Sequence, residues 1–186
     1  ITGPAAENGF FGYSNWEQQA EGIHTRSRSH AYVVESPDSN SRVVFVSADL
    51  GAIFQSVKLE VVKRLSAIYG STYTAENVML SATHTHVAAG GSSHYSLFEI
   101  ASASEAMVLG GYSSENFEAI VNGIVESVKR AHNNVAPGSI ELVQGDLTDA
   151  TVNRSLPAHQ NNDDYDPQMS ETNTNMTLLK FKKASG

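Results

Sequence analysis

Asn77-Val-Met-Leu-Ser-Ala-Thr-His-Thr-His86, with Gly90-Gly91 close behind, reads as a short apolar strand, Val78 to Ala82, running into a glycine-rich loop that carries two histidines. Upstream, Val43-Val-Phe-Val-Ser47 is a second β-branched run. Between the two, Phe54, Val57, Val61, Leu65 and Ile68 recur at intervals of three and four, the period of an amphipathic helix from Ile53 to Tyr69. Gly70 stands where a C-terminal cap belongs. Strand, helix and strand across residues 43–82 have the length of a βαβ crossover, so the two strands should lie parallel in one sheet. Parallel strands end at the same edge, where open α/β sheets bind their ligands. Asp49 follows the first strand and Thr83-His84 the second, so topology alone brings an acid and the histidine pair to one rim.

Toward the N-terminus, Ala31-Tyr-Val-Val-Glu35 is a further strand, joined to Val43–Ser47 through the turn-forming Ser-Pro-Asp-Ser-Asn-Ser. Toward the C-terminus, a loop rich in Gly, Ser and Ala runs from Thr83 to about Ser114. Phe117, Ile120, Val121, Ile124, Val125 and Val128 then mark a second helix, with Ser113 or Ser114 as its cap. Lys129, Arg130 and His132 fall in its last turn, where the helix dipole favours cations, and Pro137-Gly138 breaks it. Ile140–Val143 and Met176–Phe181 are strand-like, and the polar stretch from Asn153 to Asn175 between them is loop-like. The expected class is α/β: a mixed, largely parallel sheet flanked by helices, forming an incomplete portion of a larger catalytic domain. The start at Ile1 and the finish at Phe181-Lys-Lys-Ala-Ser-Gly186, straight after a strand, fit a piece of a longer polypeptide.

The 186 residues suffice for one domain with a real core, and 40% apolar against 17% charged residues argues for a globular chain. A formal charge of −8 disfavours nucleic acid or an anionic membrane held by bulk electrostatics. Lys58, Lys63 and Arg64, with Glu60 among them, read as a solvated helix face. No apolar run reaches the ~18 residues of a membrane span. With no cysteine, thiolate catalysis and Cys-ligated zinc are excluded, so any metal must sit on nitrogen and oxygen donors.

His84 and His86 project to the same side of an extended segment and are candidate zinc ligands, although seven histidines also produce one H-x-H by accident. Asp49 is open to three readings: a third ligand, a carboxylate orienting an imidazole, or a turn acid at a strand end. Gly90-Gly91 permits either close backbone approach or a flexible loop. Arg154, in Asn153-Arg-Ser155, suits a carboxylate or a developing oxyanion, and is otherwise a surface arginine. Asn153 and Asn175 each begin an N-x-S/T sequon, which matters if the chain is secreted. Ser47 and Ser81 lack a nucleophile elbow.

These residues, taken together, resemble the neutral, non-lysosomal ceramidase family. The resemblance is carried by Ile1-Thr-Gly, Gly12-Tyr13, Glu21-Gly-Ile-His-Thr-Arg26, Arg42-Val-Val-Phe-Val-Ser-Ala-Asp-Leu-Gly51, the Asn77–His86 block, Asn153-Arg-Ser155 and Asp166-Pro-Gln-Met169. It implies a secreted or cell-surface zinc amidase that cleaves ceramide, at or near a membrane surface, into sphingosine and a fatty acid. By the same resemblance His84 would ligate zinc, His86 would sit beside the reacting amide and assist the tetrahedral intermediate or proton transfer, and Arg154 would lie close to the same centre. The family's further ligands, a histidine, a glutamate and a tyrosine, would come from regions beyond Gly186, together with an immunoglobulin-like domain. The isolated residues 1–186 should therefore not turn over substrate.

Two departures stand out. The family continues Thr-His-Thr-His with Ser-Gly-Pro-Gly-Gly, whereas Val87-Ala88-Ala89 precede Gly90-Gly91 here, which bears on substrate positioning. The stretch Glu99–Leu109 is longer than its usual counterpart and would alter the rim of the site. The first departure also allows a non-catalytic, lipid- or partner-binding relative, and a third reading keeps an amidase acting on other N-acyl substrates.

Overall fold

The computed structural model describes residues 1–4, 6, 8–12, 17, 19–39, 41–96 and 112–184; the stretch Glu99–Leu109 lies outside them. The chain falls into two compact units, Ile1–Val135 and Ala136–Gly186.

In the first unit, strands β1 (Ser29–Ser36), β2 (Ser41–Ala48) and β3 (Val78–Ala82) form a sheet in the order β1-β2-β3. Helix α1 (Gln55–Tyr69) joins β2 to β3, and these two strands run parallel, Val44 opposite Val78 and Ala48 opposite Ala82. The βαβ reading thus holds, with β3 as expected, β2 longer than Val43–Ser47 and α1 starting two residues after Ile53, and the two strands stop level with each other. β1 pairs antiparallel with β2, since a turn of a few residues returns the chain against itself. The second unit holds β4 (Gly138–Asp146), a short helix α3 (Leu156–His159) and β5 (Asn175–Lys183), with β4 and β5 antiparallel. The α/β class and the mixed sheet are as expected. The parallel share is smaller than "largely parallel", because β2 with β3 is the one parallel pairing among the described strands.

α2 (Ser114–Asn133) packs on α1, β1 and β2. Its start is set by Ser113, whose hydroxyl accepts the Asn116 amide at 3.2 Å. α1 ends where Gly70 takes φ 62 and its N–H caps the Ser66 carbonyl. Alternation along β2 turns Val44, Val46 and Ala48 inward to meet Val57, Val61 and Leu65 of α1 and Ile120, Val121, Ile124 and Val128 of α2. Each of these valine, leucine and isoleucine side chains, fully buried, stabilises the fold by about 1.5–3 kcal/mol before entropy is counted. The opposite face of the sheet carries Tyr32, Val43, Phe45 and Met79, all exposed. Ile68, expected on the buried face of α1, is 51% exposed. At the last turn the packing partner is the Tyr73–His132 pair, and Tyr69 faces it instead, its ring centroid 4.2 Å from that of His132.

Two charged clusters differ from their sequence reading. Arg64 does more than face solvent: its guanidinium forms a two-pronged pair with Glu118 of α2, at 2.9 and 2.8 Å, and further contacts to Glu60 and Asn122. Bidentate geometry of this kind ties α1 to α2. His132 is no helix-end cation. Its Nδ1 accepts from the Tyr73 hydroxyl at 2.7 Å and from Arg42 at 3.1 Å, so that nitrogen carries no proton. Burial, and then the charge of Arg42, hold its pKa below the ordinary imidazole value, with Glu35 opposing them weakly. Because the unfolded chain takes up this proton first, stability should fall as pH drops below about 6.5 and through the lower folded value. Urea melts between neutral and mildly acidic pH should show that loss in the wild type and a flatter profile in His132→Gln. Identical slopes would refute it.

No helix among the described residues is long and apolar enough to cross a membrane.

Candidate active site

The site begins where β2 and β3 stop. Thr83 N–H donates to the Ala48 carbonyl at 2.9 Å and locks the two strand ends together. One residue later the chain turns sharply: His84 adopts φ 59, the left-handed region that non-glycine residues seldom enter. Such strain costs about 1–3 kcal/mol and persists where the surroundings impose it, which is characteristic of functional positions. Here the turn swings the imidazole back so that Nδ1 lies 2.7 Å from the carbonyl oxygen of Gly51. A carbonyl only accepts, so Nδ1 holds the proton and Nε2 of the neutral ring keeps its lone pair.

That lone pair faces His86. The two Nε2 atoms are 3.3 Å apart and the rings meet edge to face, centroids 4.9 Å apart. With His84 as acceptor, the shared hydrogen belongs to His86 Nε2. The pair is therefore ordered as donor and acceptor, with the outer nitrogen of His84 free to trade its hydrogen bond for another electrophile. An Nδ1–H held by a carbonyl, with Nε2 presented outward, is the usual arrangement of a metal-ligating histidine. The residues fit one zinc donor on these grounds. No group of three or more His, Cys, Asp or Glu able to hold a metal occurs among the described residues.

Asp49 is brought to the rim as expected, but not to the imidazoles as a ligand. Its carboxylate accepts the Arg28 amide at 2.9 Å, and its own N–H donates to the Arg28 carbonyl. It is a turn acid that ties the β2 end to the start of β1.

Residues 88–91, just after the histidines, are packed rather than loose. Val87 is exposed, Ala88 is buried in the core, and Ala89 bridges Phe10. Gly90 N–H donates to the Gly9 carbonyl at 2.8 Å, and Gly91 takes φ 89, a turn that only glycine enters easily. Ala88 and Ala89 thus pack the seam against the N-terminal segment, beside Phe10, Ile23 and Leu50. An aromatic row borders the site, Phe11 edge-on to Phe54 and Phe54 edge-on to Tyr95.

Arg154 is exposed and belongs to the second unit. It follows Asn153, whose side chain accepts the Ser155 amide at 3.0 Å and donates to the Glu171 carbonyl, fixing the local turn. Sequence reading missed Gly51, Gly12 and Asn116. The glycines offer a signal only once the fold shows what presses on them. Asn116 offered one in being the polar residue on an apolar helix face.

The described geometry matches known proteins throughout. The whole chain, residues 1–186, matches the family model for the N-terminal part of neutral/alkaline non-lysosomal ceramidases. It is 44% identical over 186 residues to the neutral ceramidase of Pseudomonas aeruginosa, covering all of this chain and 27% of that protein. Neutral ceramidase 1 of Arabidopsis thaliana is 44% identical over 183 residues, 97% of this chain and 22% of the relative. The crystal structure of the Pseudomonas aeruginosa enzyme superposes with a TM-score of 0.89 at 42% identity, across all of this chain and 28% of that one. A second solved structure, a ceramidase complexed with C2, gives 0.88 at the same identity. The chain spans about a quarter of the length of these relatives. On sequence and fold together, it belongs to the neutral/alkaline non-lysosomal ceramidase family.

Proposed function

We propose that the full-length protein is a zinc-dependent amidase that cleaves ceramide into sphingosine and a free fatty acid, and that it works outside the cell or at its surface. The observation that carries the chemical part is the ordered imidazole pair, with His84 Nδ1 on the Gly51 carbonyl and the two Nε2 atoms 3.3 Å apart. His84 Nε2 would hold the metal. When bound, zinc supplies Lewis acidity toward the amide carbonyl and the attacking water. His86 Nε2, at that same place, would take up the proton released as water attacks and pass it to the departing amine, which cannot leave as an anion. Arg154, a permanent cation, would offset charge developing on the carbonyl oxygen. Residues 1–186 alone contribute one donor of the three or four that hold zinc, so they should bind it weakly and remain inactive.

The test is hydrolysis of a fluorescent ceramide by the full-length protein, before and after removal of metal. Activity lost to a chelator and restored by zinc is expected. A metal-free protein that keeps its full rate would sink the zinc assignment. A zinc-loaded protein that splits short N-acyl amino acids but leaves ceramide intact would redirect the substrate. Turnover of ceramide by residues 1–186 alone would refute the claim that further donors are required.

A further inference from the structure

We infer that Gly12 is a positioning residue for His86, and that Asn116 on α2 holds Gly12 in place through the loop that follows the histidines. The inference rests on the proton-transfer role proposed for His86 and adds what aims its ring.

Gly12 lies at φ 114, and a Cβ built there would stand 2.7 Å from Cδ2 and Nε2 of His86 and 2.8 Å from Cε1. The edge of the imidazole that bears the working nitrogen therefore rests directly on backbone, with no room for a side chain between them. Its neighbour Phe11 lies against Gly51, where an added Cβ would meet Phe11 Cδ1 at 2.4 Å. Gly51 is the residue whose carbonyl takes the His84 Nδ1–H. Two consecutive residues, Phe11 and Gly12, thus pack against Gly51 and against His86.

The segment is held from the loop. Phe10 bridges Ala89, and the Gly9 carbonyl accepts the Gly90 N–H. The carbonyls of Ala89 and Gly90 in turn accept from the Asn116 amide nitrogen, the first at 3.2 Å. Asn116 is 1% exposed, and its side-chain nitrogen has two hydrogens for these two acceptors. A chain of contacts runs from the first turn of α2, through residues 89–90 and 9–10, to the ring of His86. A reacting group displaced by about 1 Å can lose on the order of 10²-fold in rate, so the contacts bear on chemistry as well as on packing.

In the intact protein, Gly12→Ala should lower kcat on fluorescent ceramide by roughly 10–100-fold while KM changes much less. In metal-stripped protein, heteronuclear NMR of the histidine ring nitrogens should show the His86 resonances shifted, with His84 still protonated on Nδ1. Alanine is strained at this φ, so Asn116→Ala serves as the parallel variant, removing the clamp without forcing a backbone angle. The same shift of His86 and a smaller fall in kcat are expected from it. His86 resonances at their wild-type positions in either folded variant would overturn the inference. If the wild type fails to hydrolyse ceramide, the proposed reaction falls, whereas the ring resonances still answer whether Gly12 aims His86.

Discussion

Replacing His84 with asparagine is expected to lower ceramide hydrolysis by the intact protein at least about 10³-fold, because Lewis-acid stabilisation worth several kcal/mol would go with the ligand. Asparagine is the informative choice because it tolerates the left-handed backbone that His84 adopts at φ 59, so loss of function would not be confused with loss of the turn. Zinc content, measured by elemental analysis after gel filtration, should fall in parallel. His86→Ala should separate the two roles. It removes the proposed proton carrier, and on that proposal a rate loss of about 10²–10⁴-fold with zinc retained is expected. Equal loss of zinc in both variants would make His86 a ligand as well. Retention of zinc by His84→Asn would remove the foundation of the proposed site.

The second large effect concerns the core. Ile124 is fully buried at the centre of α2, between the inner face of the sheet and α1. Ile124→Ala should cost about 2–5 kcal/mol, since the cavity collapses only partly. Against a total stability of about 5–15 kcal/mol, this is enough to shift the denaturation midpoint substantially. Ile68→Ala should change stability by no more than about 0.5 kcal/mol, because that side chain is 51% exposed. The pair distinguishes two residues that periodicity alone treats alike. Comparable losses in urea titrations of the two variants would contradict the packing described.

That pair also shows how far sequence reading reaches. The 3.6-residue period found α1 and α2, and β-branched runs found β1, β2 and β3, because these signals act over a few neighbouring residues. Gly70 and Ser113 were legible for the same reason, each cap being a local hydrogen bond. The strand–helix–strand order then placed Asp49 and His84 at one rim, since a parallel pair leaves little choice. What Asp49 does there was not legible. Its role as a turn acid depends on Arg28, which lies 21 residues away in sequence. For His132 the position at a helix end is local, but the burial and the Arg42 contact that lower its pKa are not, since Arg42 lies 90 residues away.

By itself, then, the amino-acid order determined the α/β class, the parallel β2–β3 pair and the delivery of His84 and His86 to the ends of those strands. Tertiary structure alone decided which nitrogen of His84 keeps its lone pair, because the Gly51 carbonyl that holds the other is 33 residues distant. It also decided that Gly12 backs His86 and that Asn116 holds the intervening loop. Periodicity and capping are written in neighbouring residues, whereas a tautomer is set by whichever donor or acceptor the finished sheet and helices bring within about 3 Å.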